Sequence, residues 1–350
     1  GGGFGSKFGV GIEGRVACEL AKELERPVHL MMDRETEFLA SGNRSGNEAT
    51  FKAGISKDGV VQAIVSDSNK LGGLSGGSYA DQPFVYTVAN FASTTRSVYT
   101  NLDGNRAFRA PGYPQASFGM EGIMDELAYS IGMDPVQMRL ANLPEDEWNG
   151  VWRRQLLRVA KEIGWNEHPH KGTPGPHSIE DGNEYVEGIG FGLSVWGGGG
   201  YPTCQAECRV DPGGSVTVSI GTQDLGTGSR TLVAMVAADE FGLDVGQITA
   251  RIGNTKYGRA NMSGGSTTTA CMTPAVKDAT FKMSTKLLEL VASNTGKDAS
   301  KLSFGDGGTV VGDGLNVAWK DVCNLAGASG VTTHGEFRKE LQASGAHGVQ

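Results

Sequence analysis

Glycine sets the first limit on how this chain can fold. It accounts for 54 of 350 residues, about 15%, against the ~7% usual in globular chains. There is no G-X-Y period, so a collagen-type helix is excluded. The glycines fall in clusters between periodic apolar segments, which describes many tight loops where backbone comes close to something else. The length accommodates about two domains of roughly 150 residues, each with its own core. At 38% hydrophobic and 20% charged residues, neither a disordered chain nor a membrane-embedded one fits. No run approaches the ~18 apolar residues of a spanning helix.

A net charge of −8, from 31 basic and 39 acidic residues, argues against nucleic acid as the main partner, because phosphate binding needs a basic face. The five cysteines, Cys18, Cys204, Cys208, Cys271 and Cys323, are odd in number and scattered. That pattern suits a reducing, cytoplasmic compartment better than a disulfide framework. Cys204 and Cys208 lack the C-x-x-C spacing of a zinc or iron–sulfur site, and all five read as structural. The chain opens on Gly1-Gly2-Gly3-Phe4-Gly5-Ser6-Lys7 and stops at Gly345-Ala346-His347-Gly348-Val349-Gln350. Both ends read as cuts through a longer chain, which leaves a periplasmic address open.

The first part reads as α/β. Val16, Ala17, Leu20, Ala21 and Leu24 recur at helical spacing until Pro27 stops them, and Val28 to Met32 reads as a buried strand. Two alternating runs around Lys57-Asp58-Gly59 form a hairpin. Met120, Ile123, Met124, Leu127 and Ile131 make one helical face closed by Gly132. Asp134-Pro135 then caps and starts another helix. A helix with Leu156, Val159, Ala160 and Ile163 ends at Gly164, before a Pro-, Gly- and acid-rich linker that holds His168, His170 and His177. No helix or strand fixes those histidines, so they read as a solvated loop and not as a metal site. Beyond it, Gln205 to Val210 and Ser215 to Ile220 alternate around Asp211-Pro212-Gly213-Gly214, again a hairpin. An apolar helix spans Thr231 to Phe241, a strand lies near Ile248 to Ile252, and a long amphipathic helix carries Ala275, Val276, Met283, Leu287, Leu288 and Val291. The resulting fold class is mixed α+β: two lobes of mixed sheets with packed helices, a cofactor cleft between them. The lobes cover residues 1–165 and 184–350, with 166–183 as linker.

Three glycine-rich loops and one arginine loop are candidates for chemistry. Gly1 to Lys7 lacks the spacing of a P-loop and the strand that should precede a dinucleotide fingerprint. Gly221 to Gly228 and Ser263 to Thr269 share a design: each ends a strand, exposes backbone N–H groups and small hydroxyls, and feeds a helix N-terminus. Such loops hold a phosphate-bearing anion without a lysine cradle. Asn105 to Gln115 carries Arg106 and Arg109, with Pro111 and Pro114 stiffening the aim of Arg109. By themselves these loops fit a nucleotide- or phosphate-binding module.

Four segments in order, GGGFGSK, AFRAPGYPQ with its MDELA and GMDPVQMRLANL continuation, QDLGTGSRT and SGGSTTT, closely resemble the molybdenum hydroxylases. The match is to the large molybdopterin-binding subunit of the xanthine dehydrogenase, aldehyde oxidase and carbon monoxide dehydrogenase family. The resemblance implies an oxidoreductase that hydroxylates an aldehyde or N-heterocycle with oxygen from water, using molybdenum–molybdopterin, with the cytosine dinucleotide form found in many bacterial relatives. It implies that Phe4, Gly5 and the catalytic Arg109 sit by the metal, with Gly3 also binding the cofactor. Leu225, Gly226, Thr227 and Gly228 contact the pterin and its phosphate, and Gly265, Ser266 and Thr268 bind the cofactor from below. Some relatives carry Gln at the position of Thr227. No protein ligand to the metal is expected. Electrons leave to iron–sulfur, and in some relatives FAD, partners elsewhere, with no iron–sulfur cluster in this chain. Glycine near Gly77, where purine-oxidising relatives carry arginine, disfavours xanthine as substrate. The general-base glutamate is expected outside the chain, because Gly335-Glu336 lies in a charged, solvated stretch. As a fragment, the chain is expected to be inactive alone.

Overall fold

The computed structural model describes residues 3–6, 8–75, 85–144, 149–167, 188–196, 199–341 and 346–349. Lys7, Gly77, His168, His170 and His177 lie outside the described residues. The architecture is mixed α+β, as the sequence leads one to expect, and the chain divides into two units. One comprises residues 5–196 with 346–350, the other residues 197–345 with the first four.

The first unit begins with α1 (Ile12–Leu24) and α2 (Arg34–Ala40), followed by the strands β1 (Gly46–Ile55) and β2 (Val61–Leu71). These two form the expected antiparallel hairpin, and β3 (Asn90–Val98) adds to β2 in parallel, Ala63 opposite Asn90. Three helices follow: α3 (Tyr113–Ser130), α4 (Pro135–Asn142) and α5 (Asn149–Glu162). Local rules place their ends. Gly132 at φ +66 follows α3. Asp134 accepts from the N–H groups of Val136 (2.8 Å) and Gln137 (3.4 Å), so it caps α4 with Pro135 in the first turn.

Ile64 of β2, Met120 and Met124 of α3, Met138 of α4 and Leu156 of α5 are fully buried in this unit's core. Asn142 ties helix to hairpin, accepting from Val61 N (2.8 Å) and donating to Gly59 O (2.8 Å). Arg139 has no exposed side-chain surface and joins α3 to α4. It donates to Glu121 (3.0 Å), to Asp125 (2.7 Å) and to the carbonyl of Phe191 (3.0 Å). Burial pushes the Glu121 carboxyl up, although Arg139 and the Tyr86 hydroxyl at 2.8 Å partly offset it. At the end of the unit, β4 (Leu193–Trp196) pairs antiparallel with the last strand of the chain, residues 346–349.

One expected element is absent. Val28 to Met32 forms no strand and pairs with none among the described residues, and Met31 is 77% exposed. A strand exists only through its partner's hydrogen bonds, so an apolar run by itself does not make one. The helix before it has the expected apolar stripe, yet no residue of α1 is buried.

The second unit holds β5 (Gln205–Val210), β6 (Val216–Ile220), α6 (Ser229–Phe241), β7 (Ile248–Ile252) and α7 (Thr268–Thr295). It continues with β8 (Ser303–Phe304), β9 (Val310–Gly312), β10 (Leu315–Val317), α8 (Trp319–Asn324) and β11 (Val331–Glu336), and β12 is the Ala346–Val349 strand already met in the first unit. The main sheet runs β11-β5-β6-β7 and a small one β10-β9-β8. Here too an antiparallel hairpin, β5–β6, is followed by a third strand parallel to the second, with α6 as the crossover. Val218 and Ile220 of the sheet meet Val233 and Phe241 of α6 and Ala275, Met283 and Leu287 of α7 in one apolar core.

Gly335 of β11 crosses α7 so closely that a Cβ there would run into the backbone of Ala275 and Ala279. The next N–H, that of Glu336, donates to Asp278 (3.0 Å), while the Glu336 side chain is exposed.

Candidate functional site

In the first unit, the loop leading into α3 lies against two other segments. The first is the glycine loop: at Gly5, φ +112, a Cβ would stand 2.7 Å from the carbonyl oxygen of Ala107. Only glycine lets these two backbones approach. The second is the segment 42–45. Asn43 accepts at its carbonyl from Arg106 N (3.0 Å), and its side-chain amide donates to Asp103 O (2.7 Å). Arg44 donates to the carbonyls of Arg109 (2.8 Å) and Ala110 (3.5 Å), with its guanidinium 4.8 Å from the ring centre of Phe108. The side chain of Gln115 donates to Ser45 O (2.6 Å). Ala110 adopts φ +56 and Gly112, the residue before α3, φ +85. Arg109 is exposed and Gly5 buried; of the residues before Gly5, which belong to the second unit, Gly3 is buried and Phe4 half-buried.

In the second unit, the two glycine loops are tied together by Ser263, whose hydroxyl donates to Gln223 Oε1 (2.6 Å). They end differently. At the start of α6 the carboxylate of Asp224 accepts from the N–H groups of Gly226 (2.9 Å), Gly228 (3.2 Å) and Arg230 (3.2 Å). Those bonds, led by that of Arg230, hold the Asp224 carboxyl below the usual range. The donors that could cradle an anion are thus engaged by the chain itself. Leu225 and Gly228 are half-buried, Gly226 and Thr227 exposed.

At α7 no side chain caps the helix. The hydroxyl of Thr267 accepts from Asn261 (2.6 Å) and donates backwards to Gly264 O (2.8 Å). Asn261 is itself held by Cys204, whose thiol donates at 3.3 Å. The first N–H groups of a 28-residue helix therefore open beside Gly265 and Ser266, which are both exposed, with Thr268 half-buried in the first turn. Such a terminus attracts negative charge.

Backbone strain marks the same places. Five non-glycine residues among those described have positive φ: Phe4, Glu25, Ala110, Ser266 and Asp313. Phe4, Ala110 and Ser266 lie in three of the four loops singled out from sequence. Non-glycine residues persist there only when their surroundings over-determine them, as ligand sites do.

Sequence reasoning missed Arg44 and Asp224, which act on the loops through backbone atoms. The Asx pattern Asp224-x-Gly226-x-Gly228 could have revealed the second. Nothing local points to Arg44, because its partners are 64 to 66 residues away. The buried thiols serve packing: burial pushes Cys204 up to about 11 and Cys208 to about 12. Among the described residues no cluster of His, Cys, Asp or Glu could hold a metal ion, and no helix is long and apolar enough to cross a membrane.

Comparison with known proteins gives the family. Residues 1–143 and residues 158–349 each match the family described as the molybdopterin cofactor-binding domain. The aldehyde oxidoreductase molybdenum-binding subunit PaoC of Escherichia coli (strain K12) is 29% identical over 318 residues, covering 88% of this chain and 42% of PaoC. The aldehyde oxidoreductase of Megalodesulfovibrio gigas is 29% identical over 243 residues, covering 65% of this chain and 26% of that protein. The chain thus spans less than half the length of these relatives. Among solved structures, quinoline 2-oxidoreductase from Pseudomonas putida 86 superposes with a TM-score of 0.77 at 20% identity, over 100% of this chain and 50% of that one. Reconstituted CO dehydrogenase from Oligotropha carboxidovorans gives 0.76 at 19%, over 100% and 49%. At these identities the likeness is one of fold. With one domain match on each half of the chain, the chain belongs to the molybdopterin cofactor-binding domains of the molybdenum hydroxylases.

Proposed function

We propose that the chain holds molybdopterin for an oxidoreductase that hydroxylates an aldehyde or an N-heterocycle with oxygen taken from water, electrons passing to iron–sulfur and, in some assemblies, FAD partners. The observation that carries the reading is the coincidence of backbone strain with the candidate loops, at Phe4, Ala110 and Ser266. The residues present fit the group: close-packed glycine backbone at Gly5, and an uncapped helix terminus at Gly265 to Thr268. When bound, molybdenum–molybdopterin supplies two-electron redox chemistry at a metal whose sulfur ligands belong to the pterin.

The chain's own residues then have separate tasks. Gly3, Phe4 and Gly5 offer backbone, and Arg109 offers an exposed cation that orients charge near the reacting centre. Leu225 to Gly228 line the pterin, with Asp224 keeping that loop in shape. The phosphate, terminal or extended by a cytosine dinucleotide, is received by the N–H groups beside Gly265, Ser266 and Thr268, the terminus that no side chain fills. Glu336 is not assigned as a base, because its strand is pinned to α7 through Gly335 and Asp278. Four buried free cysteines support a reducing, cytoplasmic setting.

The test is to produce the full-length protein in a host that makes the cofactor. One molybdenum per chain is expected by metal mass spectrometry, with a fluorescent pterin on oxidation and, for the dinucleotide form, released cytidine monophosphate. Bound nucleotide without pterin or molybdenum would replace this reading with a phosphate-binding module.

A further inference from the structure

We infer that Arg44 is a positioning residue for the Arg109 turn, which rests on the reading of Arg109 as a cofactor-side residue. Its guanidinium holds the two carbonyl oxygens of Arg109 and Ala110 and lies over the ring of Phe108, so three consecutive residues of the turn are gripped by one side chain.

Three features of the structure support this role. First, Arg44 forms no ion pair among the described residues, and burial lowers its pKa. Its charge is partly desolvated, and the hydrogen bonds to the two carbonyls of the turn, in place of a carboxylate, are what offset that cost. Second, the turn needs enforcing. Ala110 sits at φ +56, a conformation an alanine does not hold by itself. Third, Arg44 is the centre of a splint. Asn43 on one side engages Asp103 and Arg106, and Ser45 on the other receives Gln115 from the first turn of α3. Gly42 (φ +81) lets the splint approach, since a Cβ there would lie 2.6 Å from that of Arg106. Arg44's own contacts run to the backbone and ring of the turn, and Arg109 is an exposed residue of that turn.

The role demands arginine. A planar fork reaches two carbonyls and lies flat on a ring at once, and an ammonium group does neither. Arg44→Lys therefore separates geometry from charge: if Arg44 served only as a positive charge toward an anion, lysine would suffice.

The experiment uses the full-length, cofactor-loaded protein and three variants, Arg44→Lys, Arg44→Ala and Phe108→Leu. In Arg44→Lys, molybdenum and pterin content and the unfolding temperature stay at wild-type levels. Turnover falls, by up to about 100-fold for a misplacement near 1 Å. The Mo(V) electron paramagnetic resonance line shape changes, and amide exchange at residues 108–112 quickens. Guanidinium at millimolar concentration restores part of the turnover of Arg44→Ala. Should Arg44→Ala fail to fold, Arg44→Lys and Phe108→Leu carry the test through exchange and line shape. Wild-type turnover and line shape in Arg44→Lys would overturn the inference, as would unchanged exchange at 108–112. A wild-type protein devoid of molybdopterin would instead overturn the cofactor reading, and the role of Arg44 with it.

Discussion

At the scale of single residues, buried carboxylates do more organising than the sequence advertises. Asp278, on α7, is 7% exposed and meets Lys282 (2.7 Å), Arg338 (3.4 Å) and the N–H of Glu336 (3.0 Å). Burial alone would raise its pKa, but Lys282, that N–H group and Arg338 outweigh burial and hold it below the usual range. A carboxyl that binds its proton less tightly when folded contributes stability that is complete above its unfolded pKa of ~3.9. The contribution is lost as pH falls through the lower folded value. Asp278→Asn should therefore destabilise the second unit by about 1–3 kcal/mol at neutral pH. The gap from wild type should close on acidification below ~3.9. Urea titrations at a series of pH values measure it, and a gap that persists unchanged at the acid end contradicts the assignment.

Among the elements, α3 and α4 show what a buried ion pair does for a scaffold. The Arg139–Glu121 pair joins α4 to α3, and it keeps the helix that follows the Arg109 turn locked against its neighbour. Removing one partner leaves the other charge buried and uncompensated, a loss of about 3–5 kcal/mol. Arg139→Met should show that loss in chemical denaturation. Glu121→Gln added to it should recover a substantial part, because the orphaned carboxylate is then gone. A cost for Arg139→Met below ~1 kcal/mol would mean that Glu121 relaxes to solvent or takes up a proton at little cost. By contrast α1 buries nothing, and its stripe of Val16, Leu20 and Leu24 stays exposed, so the same amphipathic spacing yields a packed helix at α3 and an unpacked one here.

On the scale of the whole molecule, the two units repeat one plan, a hairpin followed by a third strand parallel to its second. No sequence repeat accompanies it. The thiols separate the units: Cys204, Cys208, Cys271 and Cys323 are buried in the second, and Cys18 is exposed in the first. A thiol reagent should modify one cysteine of the five in the native protein and all of them in denaturant. Labelling along a denaturant series followed by peptide mapping then reports the opening of the second unit by itself. Rapid native labelling of any of the four would mean that this core is looser than its packing indicates.

How far the sequence reached depends on the range of the physics involved. Hairpins around Lys57-Asp58-Gly59 and Asp211-Pro212-Gly213-Gly214, the Asp134-Pro135 start of α4 and the Gly132 stop of α3 rest on turn and cap chemistry within a few residues. The same holds for the glycine loops, whose order along the chain was enough to point to the family. Tertiary structure alone decided the rest. It left Val28 to Met32 unpaired, set β11 beside β5 with Val331 opposite Val210, and laid Arg44 against a turn some 65 residues away. It also distinguished two loops of like composition, filling one with Asp224 and leaving the other open at α7. Partners distant in sequence are chosen by burial and hydrogen bonding in three dimensions, and closing a longer loop costs only logarithmically more. Local sequence therefore says what each segment can be, and only the folded chain says what it meets.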